Sequence, residues 1–168
     1  LTPMQKGALG ARNLNATMQQ SLNPTGDQVE RFGTIFRCGD RVMQTENDYD
    51  KEIYNGDLGY IETIDLEASE VSIRFENRSI LFDVRELDSL LHAYAITIHK
   101  SQGSEYPAVI IPLHTQHYIM LQRTLIYTAI TRAKKLAILV GTTKALQLAV
   151  SQTLSKNRTT LLAEHLQK

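Results

Sequence analysis

Two stretches of this 168-residue chain hold side chains that could do chemistry together. The first, His99-Lys100-Ser101-Gln102-Gly103-Ser104-Glu105, offers an imidazole, hydroxyls, an amide, a glycine and one carboxylate. That mixture suits phosphate oxygens and a ribose hydroxyl at once, although an ordinary polar connection would look the same. In the second, Tyr127-Thr128-Ala129-Ile130-Thr131-Arg132-Ala133-Lys134, Arg132 falls near the C-terminal end of a predicted helix. A cation there is favoured by the helix dipole. An arginine finger, pointed at a transferring γ-phosphate from a neighbouring domain, would explain it equally. On the residues alone, both readings stay open for each stretch.

The elements that must position these residues follow from periodicity. Ala11 to Leu22 carries Leu14, Met18 and Leu22 at helical spacing, and Asn23-Pro24-Thr25-Gly26 stops the helix. Asp40–Thr45, Gly59–Ile64, Val71–Phe75 and Ile80–Phe82 read as short strands separated by turns rich in Asn, Asp and Gly, which predicts a small antiparallel barrel from about Phe36 to Leu87. From His92 the pattern changes. Ala93–Ile98 is a strand candidate, so that the 99–105 loop would lie at a strand's C-terminal end, where open parallel sheets bind ligands. Ala108–Pro112 and Leu136–Val140 read as buried parallel strands, Met120–Ala133 as a helix, and Thr142 or Thr143 as the cap of another helix to about Gln152. A terminal helix is expected over Thr159–Gln167. Strand and helix alternation predicts an α/β fold, a parallel sheet covered by helices with the barrel inserted into it.

The net charge of zero conceals an asymmetry. Of the 18 acidic residues, 14 lie between Asp40 and Asp88, against five basic ones; from Tyr106 to Ala163 there are seven Lys or Arg and no acid. Such a distribution places a polyanion on one face, although charges drifting apart on a solvated surface would give it too. The lone Cys38 cannot form an internal disulfide and fits a reducing interior. There is no apolar run of spanning length and no signal-peptide pattern, so a cytoplasmic protein without membrane contact is expected. The opening Leu1-Thr2-Pro3 reads as the end of a strand entering a turn, as at a boundary within a longer protein.

Taken in order, four signatures resemble superfamily 1 DNA helicases of the RecD type, the branch that includes exodeoxyribonuclease V alpha subunits. Thr97–Glu105 (Thr-Ile-His-Lys-Ser-Gln-Gly-Ser-Glu) and Leu125–Ala133 (Leu-Ile-Tyr-Thr-Ala-Ile-Thr-Arg-Ala) resemble motifs V and VI. Thr2–Gly10 with Leu14-Asn15 resembles the motif IV region. Gly39–Gln44, Asn47–Glu52 and Asn55–Gly59 look like the SH3-like insert of the same branch. The resemblance covers nearly the whole chain. It implies the second RecA-like domain of a helicase, residues 1–35 and 88–168, with the SH3-like barrel at residues 36–87.

The resemblance also implies roles. ATP with Mg2+ would sit between this domain and an N-terminal RecA-like domain of the same polypeptide. Arg132 would be the finger, and Glu105 would meet the ribose. Gln102 and Gly103 would shape the loop between the ligands. Thr97, His99 and Ser101 would touch the backbone of single-stranded DNA, with movement 5′ to 3′. Lys6 is the candidate for a second contact to the phosphates of the nucleotide, and Arg12 the next. No Gly-x-x-x-x-Gly-Lys-Ser/Thr sequence occurs, so the chain alone is expected not to hydrolyse ATP. The acidic barrel is expected to act as a spacer or partner contact, with DNA limited to a patch at Lys51, Tyr54 and Asn55. His114 and His117 lack a ligand set, and no metal site is expected. Other recombination or exonuclease subunits are possible partners. The rival readings are a non-catalytic DNA-binding or assembly subunit, the helicase part of a conjugative relaxase, and a nucleotide-binding domain without a DNA role.

Overall fold

The computed structural model describes residues 1–152. Helix α1 runs Ala11–Leu22, with the limits that the sequence indicates. A hairpin follows, β1 (Gln28–Arg31) and β2 (Thr34–Arg37). Next comes a five-stranded antiparallel sheet of β3 (Arg41–Gln44), β4 (Leu58–Asp65), β5 (Glu70–Phe75), β6 (Arg78–Asp83) and β7 (Leu90–His92), in the order β6-β5-β4-β3-β7. Alternation along β4 and β5 sends Ile61, Val71, Ile73 and Phe75 inward, where they pack with Val42, Phe82, Leu87 and Leu90. The hairpin's Val29 and Phe36 join this core, so the antiparallel unit begins before residue 36 and takes in β7 after residue 87.

The C-terminal part is a parallel pair, β8 (Tyr106–Leu113) and β9 (Ala133–Gly141), joined through α2 (Arg123–Ile130) and followed by α3 (Thr143–Ser151). Val109, Ile111 and Leu113 pack on Leu125, Ile126, Ala129, Ala145 and Ala149, a second core separate from the barrel's. Thr142 caps α3, its hydroxyl accepting from the Ala145 N–H at 3.2 Å.

Several expectations change. Ala93–Ile98 is not a strand: it makes only a bridge, Thr97 to Thr2. The cause is Asn15. Its side-chain N–H donates to the carbonyls of His92 (2.9 Å) and Ala95 (2.8 Å), and its Oδ1 accepts the Ala95 N–H (2.7 Å). One side chain thus satisfies backbone groups that a ladder would have used. The buried face of helix α1 is centred on amides, with Leu14 and Met18 half-buried at its edge. Its buried residues are Ala11, Asn15 and Gln19, whereas Leu22 is exposed. The helix expected over Met120–Ala133 is the shorter α2. Strand β9, expected to be buried, is exposed along most of its length, whereas its partner β8 buries Val109, Ile111 and Leu113 against α2 and α3. The helix expected at Thr159–Gln167 lies outside the described residues.

Asp40 joins the parts. It is fully buried, and its carboxylate accepts from Gln19 Nε2 (2.6 Å), Asn23 Nδ2 (2.7 Å), the Arg37 N–H (2.8 Å) and the Tyr94 hydroxyl (2.8 Å). With the proton on Nε2, His92 donates as well, at 3.1 Å. Burial pushes the Asp40 pKa up; the bonds from His92, Asn23, the Arg37 backbone and Tyr94 outweigh it and hold the carboxyl below its ordinary value. Tyr94, desolvated and bonded to that carboxylate, is pushed up to about 12.

Asp40→Ala leaves these donors without their acceptor, and urea titration should show a loss of about 1–3 kcal/mol, the range for leaving a buried donor unsatisfied. The pH dependence has a definite sign. A carboxyl with a lowered folded pKa lends its full stability above its unfolded value, about pH 4, and loses it as pH falls through the folded pKa. Asp40→Asn should flatten that acid limb of the stability curve.

Candidate nucleic-acid and nucleotide site

Three elements border a groove of about 520 Å³: the start of α1 with the loop before it, the tip of the β1–β2 hairpin, and the segment from His92 to Lys100. Its walls carry Lys6, Arg12 and Lys100, together with Gln5, Asn15, Gln19, Thr34, His92 and Thr97, and no carboxylate. Among the described residues none of the three cations is in an ion pair. Lys6, Arg12 and Lys100 are exposed. Asp40, immediately behind, is sealed by its own donors, so its charge does not enter the groove as a free acceptor. The Thr97 hydroxyl accepts the Lys100 N–H at 3.3 Å, which holds Lys100 at the groove's end.

The 99–105 loop continues from there. His99–Ser101 form one 3-10 turn. Ser101, expected to touch DNA, is fully buried, and its hydroxyl donates to the Ile98 carbonyl at 2.7 Å; it pins the turn instead. His99, Lys100 and Gln102 face a second cavity of about 440 Å³ shared with the barrel residues Asn55, Gly56 and Asp57. Asn55 is thus brought beside the loop. Lys51 is not: its ammonium pairs with Glu86 at 2.5 Å and Asp48 at 3.6 Å, and it sits over the Phe82 ring. Tyr54 packs edge-on against Tyr49, with centroids 6.1 Å apart. The expected barrel patch therefore reduces to Asn55, since neighbouring acids neutralise Lys51.

Gly103 adopts φ +85°, with open space where a side chain would begin. The loop then leads into the first residues of β8, and Arg132 stands at the start of β9, so the site lies at the N-terminal ends of this strand pair. With no strand over 93–98, the C-terminal-end geometry expected from the sequence does not form. The Tyr106 N–H donates to the Arg132 carbonyl at 2.8 Å, which fixes the two stretches side by side. The Arg132 guanidinium donates to the carbonyls of Thr128 (Nε, 3.3 Å) and Ser104 (Nη1, 3.2 Å). It caps α2 and holds the loop at the same time. Glu105, exposed, pairs with Lys134 at 3.4 Å.

Sequence reasoning missed Lys100 and Asp40. Asp40 had a signal: Asn15, Gln19 and Asn23 recur every four residues, an amide face that needs a buried partner.

A family model described as the ATP-dependent RecD-like DNA helicase SH3 domain matches residues 14–75, and one described as the UvrD-like helicase C-terminal domain matches residues 92–140. The chain is 39% identical to the ATP-dependent RecD2 DNA helicase of Deinococcus radiodurans, over 96% of this chain and 22% of that protein. It is 32% identical to the RecBCD enzyme subunit RecD of Haemophilus influenzae, over 93% of this chain and 23% of that one. The chain belongs to the RecD-like superfamily 1 helicases. It spans about a fifth of the length of these RecD-like relatives. The fold also matches a Pif1 helicase from Bacteroides in complex with ADP-AlF3 and ssDNA, with a TM-score of 0.56 and 19% identity, over 93% of this chain and 42% of that one.

In this RecD-like chain, Arg132, Gln102, Gly103 and Glu105 fit the periphery of a nucleotide: a cation, an amide and an open loop, without a cradle for a triphosphate. Among the described residues no cluster of three His, Cys, Asp or Glu could hold a metal ion, and no helix is long and apolar enough to cross a membrane.

Gly103→Ala forces a side chain into left-handed backbone and should lower stability by about 1 kcal/mol in urea titration. A wild-type midpoint for this variant would mean that the loop does not need its left-handed turn.

Proposed function

We propose that this chain is the second RecA-like domain of an ATP-driven motor that moves on single-stranded DNA, 5′ to 3′, with an inserted SH3-like barrel that takes in β1 to β7. The groove carries the reading: three cations unpaired among the described residues, the hydroxyls of Thr34 and Thr97, the Gln5 amide and no acid, on a molecule of zero net charge. Such a surface binds a phosphate backbone irrespective of sequence. Lys6, Arg12, Lys100 and Thr97 hold the strand, and His99 and Asn55 extend the path towards the barrel.

ATP, when bound, supplies the free energy for movement. Its triphosphate and Mg2+ are held mainly by a preceding RecA-like domain of the same polypeptide, and Glu105 and Gln102 meet it from this side. Arg132 links the two ligands. Turning the guanidinium towards a γ-phosphate loosens its bond to the Ser104 carbonyl and frees the loop that carries His99 and Lys100. A change at the nucleotide thereby reaches the DNA grip through one side chain. The curated relatives' names support this reading, one being an ATP-dependent DNA helicase and the other a subunit of the RecBCD enzyme. Association with further recombination subunits is part of the same proposal.

Two measurements test it. In anisotropy titrations of labelled oligothymidylate, Lys6→Ala and Lys100→Ala should each weaken binding and reduce the slope of log affinity against log salt by about 0.7, while Lys51→Ala changes neither. Equal losses for all three would remove the groove from the account. In the full-length parent, Arg132→Ala should lower DNA-stimulated ATPase activity about a thousandfold. An unchanged rate would leave Arg132 as a helix cap and favour the non-catalytic DNA-binding or assembly reading.

A further inference from the structure

The β1–β2 hairpin ends in a two-residue turn, Phe32-Gly33, closed by the pair Arg31↔Thr34. Both turn residues have positive φ, +45° and +73°. That geometry suits Asn or Asp followed by Gly, and a bulky aromatic residue in the first position meets a steric penalty. Phe32 is nonetheless there, and it is 81% exposed, so it neither relieves the turn nor contributes to the core. Arg31 is set over the ring with its guanidinium carbon 4.3 Å from the centroid. That arginine is itself held by Asp88, through Nε at 3.0 Å and Nη2 at 3.2 Å. The ring is thus steadied at its base and open to solvent. The next residues, Gly33, Thr34 and Ile35, line the basic groove opposite Lys6, Arg12 and Lys100.

We infer that Phe32 is a base-stacking platform at the lip of the groove, taking a nucleobase of a single strand whose phosphates run along the three cations. The inference rests on the nucleic-acid reading of that groove and adds its base contact. An aromatic face accepts any base, so the contact adds affinity without sequence preference. Arg31 adds a cation beside the stack, and its pairing with Asp88 keeps it in place rather than available to a phosphate.

The chain has no tryptophan, so Phe32→Trp in the full chain creates a single reporter at the tip. Oligothymidylate should quench its fluorescence, and an abasic strand of equal length should not. Phe32→Asn supplies the second arm. Asn tolerates left-handed backbone, so the melting temperature should hold or rise while affinity for oligothymidylate falls about tenfold, and affinity for the abasic strand stays unchanged. Wild-type affinity in Phe32→Asn, or an equal loss for the two strands, overturns the stacking role while leaving the groove intact. Absence of salt-dependent binding by the unmodified chain overturns the groove reading and the stacking role together.

Discussion

The buried carboxylate of Asp40 is the interaction on which the arrangement depends. A lone charge in that position would be expelled or protonated; here donors from α1, the β2–β3 turn and the segment after β7 converge on it. The five donors come from three parts of the molecule, so satisfying one charge fixes three elements relative to one another. The two main hydrophobic cores lie apart, one inside the antiparallel sheet and one under β8, and a small apolar cluster of Met43, Ala93 and Ile96, with Leu1, Leu58 and Tyr106 against it, adds to the junction that Asp40 makes. The groove lies where the three clamped elements meet, and its shape is set before any ligand arrives. That preorganisation avoids an ordering cost on binding.

The polar face of α1 serves the same end. Gln19 also donates to the Ile35 carbonyl at 2.8 Å, which holds the hairpin, and Asn15 holds the backbone of residues 92–95. A helix that spends its buried face on hydrogen bonds leaves its first turn, with Arg12, directed to the groove. At the far end of the 99–105 loop, Arg132 acts as Asn15 does at residues 92–95, bonding to backbone carbonyls with its side chain.

Much of this was legible in the sequence, and most of the failures share one cause. The limits of α1, the turns of the barrel and the alternation of β8, α2, β9 and α3 follow from period and punctuation. The motif residues 97–105 and 125–133 do come together, through the Tyr106–Arg132 backbone bond. Where periodicity failed, a polar side chain had replaced a backbone or apolar partner. Asn15 took the backbone groups of Ala95, the buried amides took the centre of the inner face of α1, and Glu86 and Asp48 occupied Lys51. Hydrophobic pattern cannot show such substitutions, because each depends on residues far apart in the chain. Lys100 was hidden for a different reason: its neighbours in the loop were the more conspicuous chemistry, and its place at the groove's end depends on the Thr97 bond.

The most direct test of the central claim, that the groove clamped by Asp40 is the nucleic-acid grip, is amide hydrogen exchange of the full chain with and without oligothymidylate. The account predicts slowed exchange in the first turn of α1, in residues 33–35 and in residues 96–101, with β4 and β5 unaffected. Protection confined to the barrel strands or to α2 and α3, with the groove amides unchanged, would contradict it.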